Sequence, residues 1–212
     1  MRLELGMTVW KTSPMLILAS SSPTRKALME KAGLQFSISP ATIDERALEA
    51  SALGDGADAR DLASLLARSK AEAVSALYPE AFVIGADQTL ALGTELLHKP
   101  IDMVDAARQL DHLAGKTHRL HAAVALVRGG NLIWSDIETA ELTMRDFDAG
   151  ERDRILGAEG EAALSSVGGY RLEGPSIQMF EKVVGDYFTI LGLPLLPLLG
   201  ALRDFAPELF SK

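Results

Sequence analysis

A serine-rich turn, two lysines, one arginine and two carboxylates are the residues of this sequence whose types and surroundings suit phosphate chemistry. The run Leu16-Ile17-Leu18-Ala19-Ser20-Ser21-Ser22-Pro23-Thr24-Arg25-Lys26 carries an apolar strand through serines into a helix that begins with proline. Ser22 is placed to cap that helix and Pro23 to be its first residue, where a missing N–H leaves nothing unsatisfied. The free N–H groups of the first turn, the hydroxyls of Ser20 and Ser22 and the guanidinium of Arg25 together make a donor set for an anion. Taken alone, the same run is equally well a serine-capped strand–helix turn.

Other charges sit where charge is costly. The i, i+4 series Leu62, Leu66, Lys70, Val74 puts Lys70 inside the apolar stripe of a helix. An unpaired buried ammonium costs several kcal/mol, so Lys70 needs an anionic partner, unless it snorkels from the stripe's edge. Arg25 shares a face with Leu28, Met29 and Ala32, although a surface arginine is the simpler reading of that residue by itself. Asp87 closes the apolar run Phe82-Val83-Ile84-Gly85-Ala86, and open α/β sheets place ligands at such strand ends. A turn-capping aspartate has the same signature. Lys99 precedes Pro100 and is therefore extended, and Glu45 lies in an acidic segment. Singly these are ordinary surface charges. As a set they offer cations for phosphate oxygens and carboxylates for a divalent ion.

The elements that must position these residues follow from periodicity and punctuation. Strands are expected at Leu16–Ala19, Phe36–Ser39 and Ala81–Ala86, with a hairpin over Leu90–Leu97 turning at Gly93-Thr94. Two long strands, about Thr117–Val127 and Leu132–Met144, flank the hairpin signal Arg128-Gly129-Gly130-Asn131. Helices are expected at Pro23–Lys31, Asp58–Tyr78, after the cap Asp102 up to Gly115, near Ala149 and at Leu195–Phe205. Pro40–Gly56 is polar and reads mostly as loop, and Gly157–Gly174 is glycine-rich. The pattern predicts an α/β fold: a twisted mixed sheet flanked by helices, in two lobes with a central cleft. Residues 1–15 read as an N-terminal extension and 16–212 as one domain.

Composition narrows the function. A net charge of −8 argues against a nucleic-acid polymer as partner, so any phosphate must be held by a few placed cations. The absence of cysteine excludes disulfides and thiolate metal sites and fits a cytosolic protein. No apolar run has membrane-spanning length, and the N-terminus does not read as a secretory signal. The Gly-x-Gly-x-x-Gly, Gly-Lys-Ser/Thr and Gly-x-Ser-x-Gly signatures are missing, which argues against a dinucleotide fold, a P-loop and a serine hydrolase. His98, His112, His118 and His121 lack a metal spacing; the last two fall on opposite strand faces, against zinc. Trp10 and Trp134 read as packing residues.

The run from Leu16 to Lys26, followed by Ile43-Asp44-Glu45, Lys70-Ala71, Gly85-Ala86-Asp87, His98-Lys99-Pro100, Leu113-Ala114-Gly115-Lys116-Thr117-His118, Gly168-Gly169-Tyr170, Gly185-Asp186-Tyr187 and Gly192-Leu193-Pro194, resembles the Maf proteins in content and order. These are septum-formation-inhibitor-like nucleoside triphosphate pyrophosphatases, and the likeness spans about Leu16 to Phe205. It implies an inosine-triphosphate-pyrophosphatase type of fold, a cytoplasmic homodimer, and Mg²⁺ or Mn²⁺ dependence. The implied reaction splits a nucleoside triphosphate into monophosphate and pyrophosphate, as housekeeping of the nucleotide pool. On matching positions Ser20, Ser22 and Arg25 would hold phosphates, and Lys70 and Lys99 would neutralise the triphosphate. Glu45 would help hold the metal, and Asp87 would bind metal or deprotonate the attacking water. A nucleotide-binding regulator of cell division without turnover is the alternative class, but binding alone does not need the whole charge set. A phosphomonoesterase, releasing orthophosphate, is a third.

Base specificity is where the chain departs from part of that family. The dTTP/UTP branch carries Arg, Thr and Gln where this chain has Thr24, Gln88 and Glu173. Gln88 and Glu173 resemble the 7-methyl-GTP branch, which has Trp at the place of Thr24. The chemistry agrees: an ionised Glu only accepts hydrogen bonds, and guanine offers N1–H and amino donors. Methylation at N7 adds a positive charge that a carboxylate favours. Glu173 paired with Arg171 or Lys182 would be the purely structural reading.

Overall fold

A computed structural model describes residues 15–210; Trp10 and the rest of the proposed N-terminal extension before Met15 lie outside them. In chain order the elements are β1 (Leu16–Leu18), α1 (Pro23–Lys31), β2 (Ser37–Ile38), α2 (Glu45–Gly54), α3 (Ala59–Ser75), β3 (Phe82–Leu92) and β4 (Glu95–Leu97). There follow α4 (Met103–Leu113), β5 (Thr117–Arg128), β6 (Asn131–Met144), α5 (Ala149–Glu159), β7 (Phe180–Val184), α6 (Tyr187–Ile190) and α7 (Leu195–Phe205). The glycine-rich section expected between α5 and β7 is built of short 3₁₀ turns.

The strands form one mixed sheet in the order β2-β1-β3-β5-β6-β7, with β4 added to β3. β1 is parallel to β2 and β3, and the remaining pairings are antiparallel. On its β1 edge, β3 is paired twice, at opposite ends. β1 meets it at Phe82–Ile84, and β4 meets it at Leu90–Leu92. Between the two partners the sheet forks, and the stretch Gly85–Thr89 is paired only on its other side, to β5. Alternate residues direct backbone groups to the same edge, so Ala86 and Gln88 face the fork as Ile84 faces β1. The sequence places the end of the strand at Asp87; instead β3 runs on to Leu92. An unbroken ladder to β5 from Val83 to Ala91 satisfies the backbone of the polar Asp87-Gln88-Thr89 stretch.

Side-chain alternation along β3 sorts the two faces of the sheet. Phe82, Ile84 and Ala86 join β1, α1 and α7 in one apolar core, against which Trp134 also packs. Leu90 belongs to a second core on the same face, with α4, α5 and Tyr170. Gln88, between them, is the polar residue at the seam of the two cores. Val83, Gly85, Asp87 and Thr89 turn to the opposite face, where α3 lies. Ala71 and Val74 of α3 pack on Val83 and Val127, and the Thr89 hydroxyl donates to the Ala59 carbonyl at the helix start, 2.8 Å away. A Cβ on Gly85 would sit 2.1 Å from the Ala67 carbonyl oxygen and 2.7 Å from the Ala71 nitrogen. Glycine at this one position lets the helix backbone rest on the strand.

Three further differences from the sequence pattern concern α2, the end of α3 and β7. Pro40–Gly56 is not mainly loop: Asp44 accepts the Ala47 N–H at 3.0 Å and caps α2. That helix buries no residue, so it has no apolar stripe for periodicity to reveal. Helix α3 ends at Ser75, short of the expected Tyr78, and Leu77 beyond it is 71% exposed. β7 is a short edge strand whose Phe-Glu-Lys-Val-Val sequence gives no alternation.

Replacing Gly85 by alanine should force α3 off the strand and cost about 3 kcal/mol, read as a fall in melting temperature of several degrees. An unchanged melting temperature would show that the contact is not limiting.

Candidate active site

The fork in the sheet opens into a cleft of about 1410 Å³ that takes in Ser20, Ser22, Arg25, Glu45, Lys70, Asp87 and Lys99. All seven phosphate, catalytic and metal candidates from the sequence therefore border one space. Thr24, Gln88 and Glu173 border it too.

Lys70 and Asp87 form its centre. Lys70 Nζ lies 2.5 Å from Asp87 Oδ1 and 3.1 Å from Glu45 Oε2. The Lys70 and Asp87 side chains are each 12% exposed, whereas Glu45 is half exposed. The anionic partner that a lysine in an apolar stripe requires is thus supplied by the next strand, two residues after the glycine contact. The pair is desolvated enough for truncation of one member to leave a costly charge behind.

The second corner is the turn after β1. Ser22 caps α1 through its hydroxyl, which accepts the Arg25 N–H at 3.4 Å. Ser20 Oγ accepts the Ser22 N–H and Arg25 Nη1–H, both at 3.2 Å, which leaves its own O–H to donate. Arg25 also donates through Nη1 to the Ala86 carbonyl at 2.9 Å and through Nε to the Gly192 carbonyl at 2.8 Å. The first of these carbonyls is the backbone group that the fork exposes. Three oxygens fix the guanidinium, and its Nη2 has no hydrogen-bond partner among the described residues. Burial pulls the Arg25 pKa down and the Asp87 and Glu45 charges oppose that. A guanidinium starts so high that it stays charged at neutral pH.

Lys99 follows β4 at the cleft's rim and has no ion pair or hydrogen bond among the described residues. Desolvation lowers its pKa, with Arg25 and Lys70 adding repulsion that Asp87 and Glu45 partly offset. It is a cation already crowded by cations, and an anion in the cleft relieves that crowding.

The two carboxylates that converge on one ammonium also test the metal expectation. Mg²⁺ and Mn²⁺ accept one or two carboxylates and complete their shell with phosphate oxygens and water. Asp87 and Glu45, brought within hydrogen-bond reach of a single point, are such a donor set. No group of three or more His, Asp or Glu side chains able to hold a metal forms among the described residues, so substrate and water would supply the remaining ligands. The histidines have partners other than Asp87 and Glu45: His98 pairs with Glu49 at 3.3 Å, His112 with Glu95 at 2.8 Å and His121 with Thr139 at 2.8 Å.

The base-specificity candidates divide. Gln88 donates its amide to the Thr189 and Ile190 carbonyls, both at 3.0 Å, so only its oxygen is left as an acceptor. Thr24 lies on the first turn of α1, at the cleft wall. Glu173 sits at the rim, and its Oε1 accepts from Arg171 Nε at 3.1 Å and Nη2 at 3.0 Å. The arginine partner weighed as a structural alternative is therefore present. Near this rim lie groups to which the sequence pattern assigns no site role. Tyr170 is buried, with its hydroxyl 2.6 Å from His118 Nε2. Glu159 is buried at helical spacing from the buried Ile155 and Leu156, a signal like that of Lys70.

Among known proteins, the family described as Maf-like protein matches residues 15–205. The chain belongs to the Maf-like family. A protein named 7-methyl-GTP pyrophosphatase from Brucella abortus biovar 1 (strain 9-941) is 56% identical over 188 residues, 89% of this chain and 94% of its own. Another of that name, from Rhizobium etli, is 56% identical over 192 residues, 91% of this chain and 96% of its own. A protein named nucleoside triphosphate pyrophosphatase from Bradyrhizobium diazoefficiens is 49% identical over 198 residues, 93% and 97% of the two chains. The mixed sheet and forked cleft are this Maf-like chain's version of the α/β fold expected from its sequence.

Burial holds the His118 pKa at about 4, below the usual imidazole value of 6.5. The unfolded chain therefore binds one more proton between these values, and stability is lost as pH falls through this window. Melting temperatures at pH 7, 5.5 and 4.5 should fall more steeply for the wild type than for His118→Gln. Equal slopes would contradict a buried neutral His118.

Proposed function

We propose that this protein hydrolyses the α–β phosphoanhydride of a nucleoside triphosphate, releasing monophosphate and pyrophosphate, with 7-methyl-GTP-type purine nucleotides preferred. The observation that carries the reaction is the buried Lys70–Asp87 pair, facing the Ser20–Arg25 anion corner across one cleft. The relatives' names support the same chemistry, and two of the three named above specify 7-methyl-GTP.

Arg25, Ser20, Ser22 and the first turn of α1 bind the triphosphate tail, and Lys99 adds charge at the rim. The oxygen of a water forms a bond to the α-phosphorus opposite the bridging oxygen. That oxygen leaves with pyrophosphate, and the water's proton passes to the Asp87 carboxylate. Lys70 holds the Asp87 carboxylate in place for this role and offsets charge that builds on the phosphoryl oxygens. Such a transition state needs alignment and charge balance more than a covalent intermediate. A divalent ion, Mg²⁺ or Mn²⁺, held by Asp87 and Glu45, would supply further charge neutralisation at the phosphates. In the same reading the protein works in the cytoplasm as a homodimer, as the family resemblance implies. A regulator that binds without turnover would have little use for a desolvated Lys70–Asp87 pair.

Incubation with 7-methyl-GTP, GTP, inosine triphosphate, dTTP, UTP and CTP plus Mg²⁺ or Mn²⁺ should release pyrophosphate, fastest from 7-methyl-GTP. Orthophosphate as the product, or a clear dTTP/UTP preference, would sink the corresponding half of the proposal. Asp87→Asn should lower kcat/KM by ~1000-fold while the chain stays folded, and near-wild-type turnover would remove Asp87 from the chemistry.

A further inference from the structure

Glu159 is a carboxylate without a place in the hydrolytic chemistry, and among the described residues it bonds to none of the phosphate-corner side chains. Its side chain is 2% exposed. Oε2 accepts the backbone N–H of Ser176 at 3.0 Å and its hydroxyl at 2.8 Å. Oε1 lies 3.7 Å from Arg171 Nη1. A Cβ on Gly174 would fall 2.3 and 2.5 Å from the two oxygens, so the carboxylate is wedged against that backbone. The turn Arg171–Ser176 is thus wrapped around one buried negative charge. Burying a carboxylate is costly unless its partners are fixed in place, which here means that the turn is fixed too.

Glu173 rides on that turn. Arg171 spends Nε and Nη2 on Glu173 Oε1 and turns Nη1 to Glu159. A forked guanidinium held at one end by a buried anion presents its other edge in one orientation. We propose that Glu159 is a positioning residue for base selection: through Arg171 it fixes Glu173, with Oε1 occupied and Oε2 left for the N–H donors of a guanine-type base. Arg171 is the second new member of this specificity apparatus. The proposal rests on Glu173 being the base-reading residue and adds what holds it.

The test is a double-mutant cycle on the full chain, with steady-state kinetics on 7-methyl-GTP and UTP. Glu159→Gln keeps shape and an acceptor for Ser176 but loses the charge that holds Arg171. It should raise KM for 7-methyl-GTP about tenfold, the scale of one charge-assisted hydrogen bond, with kcat and the UTP constants little changed. Glu159→Gln combined with Glu173→Gln should lose no more base preference than Glu173→Gln alone. Independent, additive losses, or an equal loss on both nucleotides, would mean a merely structural Glu159 and overturn the proposal. If Glu159→Gln does not fold, Arg171→Gln at the partly exposed rim gives the same cycle. An effective Glu173→Gln beside inert Glu159 and Arg171 variants overturns this relay alone. An inert Glu173→Gln overturns both the relay and the base reading beneath it.

Discussion

The contact of α3 with β3 at Gly85 is the constraint on which the site depends. A helix normally stands off a sheet by the length of its side chains. Here the Ala67 carbonyl and Ala71 nitrogen approach a bare Cα, and small residues, Ala63, Ala67 and Ala71, line that side of the helix. Lys70 is on this helix and Asp87 is two residues along the same face of the strand, so the close approach sets their separation. An ammonium that would be intolerable in an apolar stripe becomes a paired charge. The same helix brings its N-terminal carbonyl at Ala59 to the hydroxyl of Thr89, so β3 is gripped on both sides of Asp87.

The fork in the sheet is the second half of the design. An unpaired stretch of strand exposes backbone groups that must find partners. Arg25 answers one of them, the Ala86 carbonyl, and is held there with Ser20 and Gly192. A cation that needs three neutral oxygens to hold it still keeps its full charge for a ligand. Lys70 is neutralised by two carboxylates, whereas Arg25, held by neutral oxygens, and Lys99, without an ion pair among the described residues, keep positive charge for a ligand in the cleft. An acidic protein can bind a polyphosphate because that local arrangement, not the net charge of −8, faces the ligand.

Legibility differed from residue to residue for physical reasons. Lys70 announced itself because helical spacing placed a charge among leucines, and a buried charge needs a partner. Asp87 reads as a strand end because the apolar run stops there; β5, distant in the chain, supplies the ladder that carries the strand through it. Helix α2 stayed hidden because it buries nothing, and burial is what creates periodicity. Glu159 had the same signature as Lys70, a charge at apolar spacing, and its partners Ser176 and Arg171 were visible only once the turn closed around it.

By itself the sequence determined the α/β class, the serine–proline helix start, the hairpin at Gly129-Gly130 and the candidates Arg25, Glu45, Lys70, Asp87, Lys99 and Glu173, all of which border the cleft. These follow from local rules, since capping, turn conformation and side-chain period are properties of neighbouring residues. Only the tertiary structure decided which charges meet: Lys70 with Asp87 and Glu45, Arg25 with the open edge of β3, Glu159 with Arg171. Such pairings depend on how close two backbones come and where a sheet parts. Both are set by packing between segments distant in the chain, which residue spacing along a single segment does not encode.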